Sequence, residues 1–265
     1  MNGLFDLDGR VAVVTGGSGV IGAALAAGLT DAGARVAVVA RGFDRAEHTA
    51  SRLGGGLAVG ADVCDPDSLA GARDRILAEL GPIDVLVNCA GGNVPEATLA
   101  DDASPFSVPY EAFDAVVALN LGGTVLATQV FGGGMSVDGG SIVNVSSMAA
   151  SHALTRVGGY GAAKAAVESM TRWWAVELGR RGTGIRVNAI APGFVVGEQN
   201  RRLLLDDGGT PTPRGQTILS RTPLARFGEP TDLVSTVVWL ASDGSRFVTG
   251  VVVPIDGGFS AFSGV

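Results

Sequence analysis

RVAVVTGGSGVIGAALAAGLTDAGARVAVVA, residues 10–40, decides the fold. Its ends, RVAVVT (10–15) and RVAVVA (35–40), are valine-rich runs that stay apolar instead of alternating. A strand covered on both faces reads that way, whereas a half-exposed strand alternates with period two. Between them the chain turns on glycines and continues as an apolar helical segment, 20–32. Strand, glycine turn, helix and strand together form the unit that builds a parallel sheet with right-handed crossovers.

The same alternation continues outward. GLAVGA (56–61), IDVLVN (83–88), GSIVNVS (140–146), IRVNAIA (185–191) and VVVPID (251–256) read as five further strands. Helical patterns occupy 66–80, 110–131, 158–181 and 229–241. The expected fold is α/β: one doubly wound domain over 1–265, a seven-stranded parallel sheet with helices on both faces. The segment at about 193–228 carries Pro192, Gly193, Gly208, Gly209, Pro211, Pro213 and Pro223 in or beside it. It reads as an irregular substrate loop leaving the carboxyl end of a strand, where open α/β sheets bind ligands.

Bulk properties remove several function classes. A net charge of −7, with no basic run, argues against nucleic acid, because phosphate binding needs a basic face. Cys64 and Cys89 are the only cysteines, too few for a disulfide framework or a four-thiolate zinc site, and they read as buried free thiols beside strand ends. No metal site is expected. MNGLFDLDGR lacks the basic and apolar regions of a secretory signal. No uninterrupted apolar stretch approaches the about 18 residues of a membrane span. The expected location is the cytoplasm, with no membrane partner.

The turn after the first strand is Thr15-Gly16-Gly17-Ser18-Gly19-Val20-Ile21-Gly22. Glycines let backbone N–H groups approach a pyrophosphate, and the helix that follows adds the positive end of its dipole. A strand before and a helix after are the context such a motif requires. The second strand ends at Ala40-Arg41, where an NAD site usually holds an acid for the ribose 2′-hydroxyl. Arg41, with Arg45, suits a 2′-phosphate instead. NADP(H) is therefore favoured, with NAD(H) as the alternative.

Tyr160 and Lys164 stand four apart in GGYGAAKAAVESMTRWWAVEL and leave one helix face. A free phenol, with a pKa near ~10, is a poor base at neutral pH, and a neighbouring ammonium is expected to lower it. Ser147, after the strand GSIVNVS, is placed to hold a substrate oxygen. Asn120, in VALNLGG, is placed to fix a water and pass protons on from Lys164. Singly, each also reads as a cap, a helix-surface residue or a buried hydrogen-bonding group.

Taken together, TGGSGVIG, ADV (61–63), NCAG (88–91), Asn120, SIVNVSS (141–147), YGAAK (160–164), RVNAIAPG (186–193) and IDGG (255–258) resemble the short-chain dehydrogenase/reductase family over nearly the whole chain. The resemblance implies a Rossmann fold and an NAD(P)-dependent oxidoreductase acting on CH–OH groups, with the tetrad Asn120, Ser147, Tyr160 and Lys164. It implies cofactor contacts from Gly16, Ser18, Val20, Ile21 and Gly22 in the turn and from Asp62 and Val63 at the adenine. It adds Asn88, Ala90 and Gly91, then Pro192, Gly193 and Val195 at the nicotinamide, with Tyr160 and Lys164 at its ribose. It also implies a homotetramer or dimer. One departure is Val20, where the family has glycine; a slightly altered turn that still binds is expected.

NCAGGNVPEAT (88–98), SSMAA (146–150), APGFVVGEQNRRLL (191–204), TPRGQTIL (212–219), TPLARFGEP (222–230) and DGGFSAFSGV (256–265) further resemble the D-mannonate oxidoreductase (fructuronate reductase)-like members. That implies a sugar acid such as D-mannonate/D-fructuronate as the small-molecule substrate. Arginine forks suit its carboxylate and amides its hydroxyls. Asn93, Ser147, Arg156, Gln199, Asn200, Arg201 and Arg214 are the candidates, with Arg201 first and Arg214 second for the carboxylate. Reduction of another polar ketone, a ketose or a 3-oxoacyl thioester, stays open. So does a non-catalytic dinucleotide sensor, which having both Tyr160 and Lys164 disfavours.

Overall fold

The structure is a computed structural model that describes residues 3–100, 102–197 and 200–264. Seven strands form one parallel sheet: β1 (Val11–Thr15), β2 (Arg35–Ala40), β3 (Leu57–Gly60), β4 (Val85–Asn88), β5 (Gly140–Val145), β6 (Ile185–Pro192) and β7 (Val252–Ile255). Their order is β3-β2-β1-β4-β5-β6-β7, so the winding reverses between β1 and β4. The continuous apolar runs are explained by two cores. Ala12 and Val14 enter the cluster under α1 (Val20–Asp31) and α9 (Val234–Ala241), while Val11 and Val13 enter the cluster on the other face. That second cluster is closed by α3 (Pro66–Glu79), α5 (Gly123–Gly132) and α6 (Gly158–Arg180).

All seven expected strands are present, but the helices differ in four places. α2 (Phe43–Ser51) was not expected; it buries only Ala46 and Ala50, so no wide apolar stripe announces it. The expected helix 110–131 is divided into α4 (Tyr110–Val117) and α5 by a π-helical turn, Ala118–Gly122, which contains Asn120. The expected helix at 229 opens as a 3₁₀ turn, Pro230–Leu233, before α9 begins. The segment read as irregular holds α7 (Arg201–Leu204) and α8 (Pro213–Ser220). Thr212 caps α8 by accepting from Gly215 N at 3.0 Å, and Pro213 occupies its first position. Proline there removes an N–H that has no helical partner anyway, so it starts the helix instead of breaking it.

One further expectation changes. Cys64 is exposed, whereas Cys89 is partly buried and packs against the core under α1 and α9. Among the described residues, Tyr110–Gly132 is long and apolar enough to cross a membrane by length and composition. Here its Val116, Ala127 and Phe131 are buried, the last two under the sheet.

Candidate active site

Strand register brings the polar strand ends into one row, with Thr15 beside Asn88 and Asn88 beside Asn144. Thr15 Oγ1 accepts from Cys89 N (3.2 Å) and Ala90 N (3.3 Å), which ties the first turn to the end of β4. The turn is closely fitted. Gly16 has φ +64°, and a Cβ there would lie 2.7 Å from Ala90 Cα. A Cβ on Gly22 would lie 2.3 Å from Gly16 O. Gly19 precedes α1 without a side-chain cap, so the N–H groups of Val20, Ile21 and Gly22 point out of the helix end unpaired by any cap. Val20 is exposed and begins the helix, and Ser18 lies half-buried just before it. This geometry fits the pyrophosphate of a dinucleotide.

Other expected cofactor residues are placed as follows. Arg41 is exposed at the end of β2, and Arg45 Nε lies 3.3 Å from where a Cβ on Gly42 would be, so the two arginines flank one turn. Asp62 Oδ1 accepts from Cys64 N at 2.9 Å. Val63 is buried, with its side chain against Gly123. Asn88 departs from expectation. Its side chain is 2% exposed, and Nδ2 donates to Thr128 Oγ1 and Asn144 Oδ1, both at 2.9 Å, while Oδ1 has no partner. It braces β4, β5 and α5 from within and does not reach the crevice by its side chain. Pro192 ends β6, Gly193 abuts Asp256, and Val195 bridges to Gly228.

Ser147, Tyr160 and Lys164 do converge. Ser147 leaves β5 and accepts from Ala149 N at 3.1 Å as the cap of a 3₁₀ turn, with its hydroxyl on the side of the Tyr160 phenol. Tyr160 packs in a small apolar group with Val94, Ala97, Ala112 and Val116. Burial pushes its phenol above the ordinary value, and the Ser147 contact only partly opposes this. The expectation that Lys164 lowers it is therefore corrected: desolvation of the phenolate wins in the unliganded site. Lys164 is 4% exposed, with Nζ 5.6 Å from the Tyr160 ring centre and donating to Val145 O at 2.8 Å. Burial lowers its pKa to about 8. An ammonium has three donors, so two remain for a ligand's hydroxyls.

Asn120 is buried in the π turn. Nδ2 donates to Gly92 O (2.6 Å) and Val116 O (2.9 Å), and Oδ1 accepts from Gly92 N (3.0 Å). Its side chain thus holds the 91–92 loop, and its backbone carbonyl accepts from Thr124 Oγ1 at 2.8 Å. Gly91 sits inside this clasp, where a Cβ would lie 2.6 Å from Asn120 Oδ1 and 3.2 Å from Lys164 Nζ. Gly91→Ala is expected to displace both groups and lower kcat on the order of 10²-fold, the usual effect of misplacing a catalytic group by about 1 Å. Parallel thermal melts should show the fold retained; unchanged kcat would mean the loop yields freely.

The expected substrate residues separate. Asn93 Nδ2 donates to Thr98 Oγ1 (2.7 Å), with Oδ1 buried and unpartnered. Arg156, at φ +77°, donates from Nε to Leu99 O (2.7 Å), a strap across the loop. Asn200 closes its own turn, donating to Val195 O and accepting from Gly197 N, both at 2.8 Å, so its amide is not left for a substrate. Arg201 is exposed on α7 and lines neither cavity near the site. Gln199 lies outside the described residues. Arg214 does line a cavity beside Phe194, together with His152 and Arg221, which sequence reasoning missed. The available signal was TPRGQTILSR, whose arginines stand seven apart on a proline-started helix.

Proton-handling side chains gather at the carboxyl edge of a doubly wound sheet, beside a turn shaped for a dinucleotide, and that pairing defines an NAD(P)-dependent oxidoreductase. The chain belongs to the short-chain dehydrogenase/reductase family. The family model described as enoyl-(acyl carrier protein) reductase matches residues 17–260. An uncharacterized oxidoreductase, UxuB, of Bacillus subtilis (strain 168) is 42% identical over 98% of each chain. A crystal structure from Haemophilus influenza with bound NAD, provisionally described as a D-mannonate oxidoreductase, is 38% identical with a TM-score of 0.90 over 98% of each chain. A structure from Beutenbergia cavernae with NADP at low occupancy, provisionally described as an NAD(P)-dependent gluconate 5-dehydrogenase, is 34% identical with a TM-score of 0.84 over 98% of this chain and 100% of that one.

Proposed function

We propose that this enzyme interconverts a ketouronate and the corresponding sugar acid, the D-fructuronate/D-mannonate pair being the leading candidate, with NADP(H) preferred. The convergence of Tyr160, Ser147 and Lys164 beside the uncapped turn carries the reading. A nicotinamide cofactor held by the glycine turn and Lys164 would supply the hydride to the ketone carbon, or accept it in the reverse direction. Tyr160 donates its proton to the ketone oxygen, and Ser147 donates a hydrogen bond to that same oxygen. Lys164 holds the cofactor ribose and, by its charge, favours the phenolate once the proton has left. Asn120 keeps the 91–92 loop in register with Lys164. The sugar-acid assignment is supported by the arginine-lined cavity and by the described activities of the two solved relatives.

The assembly is read as a cytoplasmic homotetramer, which would cover the exposed Phe113, Trp173 and Val176 on α4 and α6.

NADPH is expected to exceed NADH in kcat/KM with D-fructuronate, and Arg41→Ala to erase most of that preference. Losing a charge-assisted phosphate contact at an exposed site should cost about 1–3 kcal/mol with NADPH only. Initial rates with both cofactors check this; equal efficiency, or a preference for NADH, would defeat the cofactor assignment, and inactivity on every ketouronate would defeat the substrate.

A further inference from the structure

Past Ser147 the chain runs through His152–Thr155 and, with Phe194, Phe259 and one face of α8, lines an open cavity of about 710 Å³. Ligand pockets span roughly 300–1,000 Å³, so this space suits a small molecule. Arg214, Thr217, Ile218 and Arg221 of α8 and its C-cap face it. Their spacing of three, four and seven is one stripe of a helix. Seven residues rise about 10 Å along a helix, so a cation stands at each end of the wall, with a hydroxyl and an aliphatic side chain between.

The two cations differ. Arg214 Nη1 donates to Thr155 Oγ1 at 3.1 Å, which fixes that end against the segment leading back to Ser147. Arg221 makes no side-chain hydrogen bond or ion pair among the described residues. Its Nη1 lies 3.5 Å from where a Cβ on Gly264 would be, so this end sits under the C-terminal tail. Among the described residues no aspartate or glutamate lines the cavity, although the chain as a whole carries −7. A cavity of one sign in a protein of the other draws a ligand opposite to its lining. Phe194 and Phe259, edge to face at 5.5 Å, form an apolar wall nearby. Partial desolvation there makes an unpaired carboxylate costly and a guanidinium partner valuable.

We propose that Arg221 anchors the substrate carboxylate, and that the substrate is an extended polyhydroxy acid lying along α8 with its ketone toward Ser147 and Tyr160. The proposal rests on the reading of Ser147–Tyr160 as the reaction centre. Both ends of the wall are used only by a chain of about six carbons, so short hydroxy acids are excluded.

The test measures kcat and KM for D-fructuronate and D-fructose, which differ in carrying a carboxylate or a hydroxymethyl group at the end remote from the ketone. The parent enzyme is compared with Arg221→Gln and with Arg201→Gln, the latter exposed and outside the cavity. Arg221→Gln should raise KM for D-fructuronate at least about tenfold, with kcat, KM for D-fructose and cofactor affinity little changed. Arg201→Gln should change neither substrate. Equal losses on both substrates from Arg221→Gln, or no loss on either, overturn the anchor while leaving the reaction centre standing. A parent enzyme that reduces neither compound overturns the ketouronate reading of the site and the anchor with it.

Discussion

Tyr160→Phe should lower kcat about 10²–10⁴-fold while leaving the dissociation constant for the cofactor within about twofold. The substitution removes one oxygen and keeps the ring that packs with Val94, Ala112 and Val116, so the fold loses little. The oxygen removed is the one on the Ser147 side of the ring. Because burial raises the phenol's pKa, the tyrosine is protonated through neutral pH in the unliganded enzyme and enters reduction as an acid. Oxidation needs the opposite state, so its rate should climb with pH where that of reduction does not. Stopped-flow turnover with cofactor titration by fluorescence separates the effects; near-normal kcat in the variant would remove Tyr160 from the chemistry.

Lys164→Met carries the second large effect, and it has two signs. Turnover should fall on the order of 10²–10³-fold, and cofactor binding should weaken about tenfold or more, because one ammonium serves both the ribose and the phenolate. Stability should move the other way. Below about pH 8 the folded protein holds a buried charge that the unfolded chain, titrating near 10.5, carries in water. That gap corresponds to roughly 3 kcal/mol against folding at neutral pH, present below pH 8 and gone above the unfolded value. Methionine removes this cost but strands Val145 O, worth about 1–3 kcal/mol. The variant's Tm at pH 7 should therefore match or exceed the parent's by a few degrees, and the parent should gain on it as pH rises from 8 to 10.5. A variant clearly less stable than the parent at pH 7, yet still binding cofactor normally, would refute the dual role. Lys164 is the only lysine in the chain, so a single Nζ resonance reports its titration directly.

Much of the scaffold was legible because burial on two faces leaves a mark on composition. Val11–Val14 feed alternate cores, so every position must be apolar, and the run is unmistakable. Tyr160 and Lys164 were equally legible, since four residues on a helix fix a common face without help from the rest of the fold. α2 was not, because two alanines make its whole buried face. α8 was misread because proline and glycine were counted as breakers, when Thr212 and Pro213 are a helix start.

By itself, then, the sequence determined the sheet, the glycine turn and the acid–base pair, all set by local periodicity and backbone freedom. Tertiary structure alone decided the protonation of Tyr160, because desolvation depends on what packs over a group and not on its neighbours in the chain. It also decided which polar side chains are already spent. Asn120 is used on Gly92, Asn200 on its own turn and Arg156 on Leu99, while Arg221 stays uncommitted at the cavity wall. Hydrogen bonds across 28 or 57 residues of chain leave no trace in spacing; they exist only once the strands have brought the loops together.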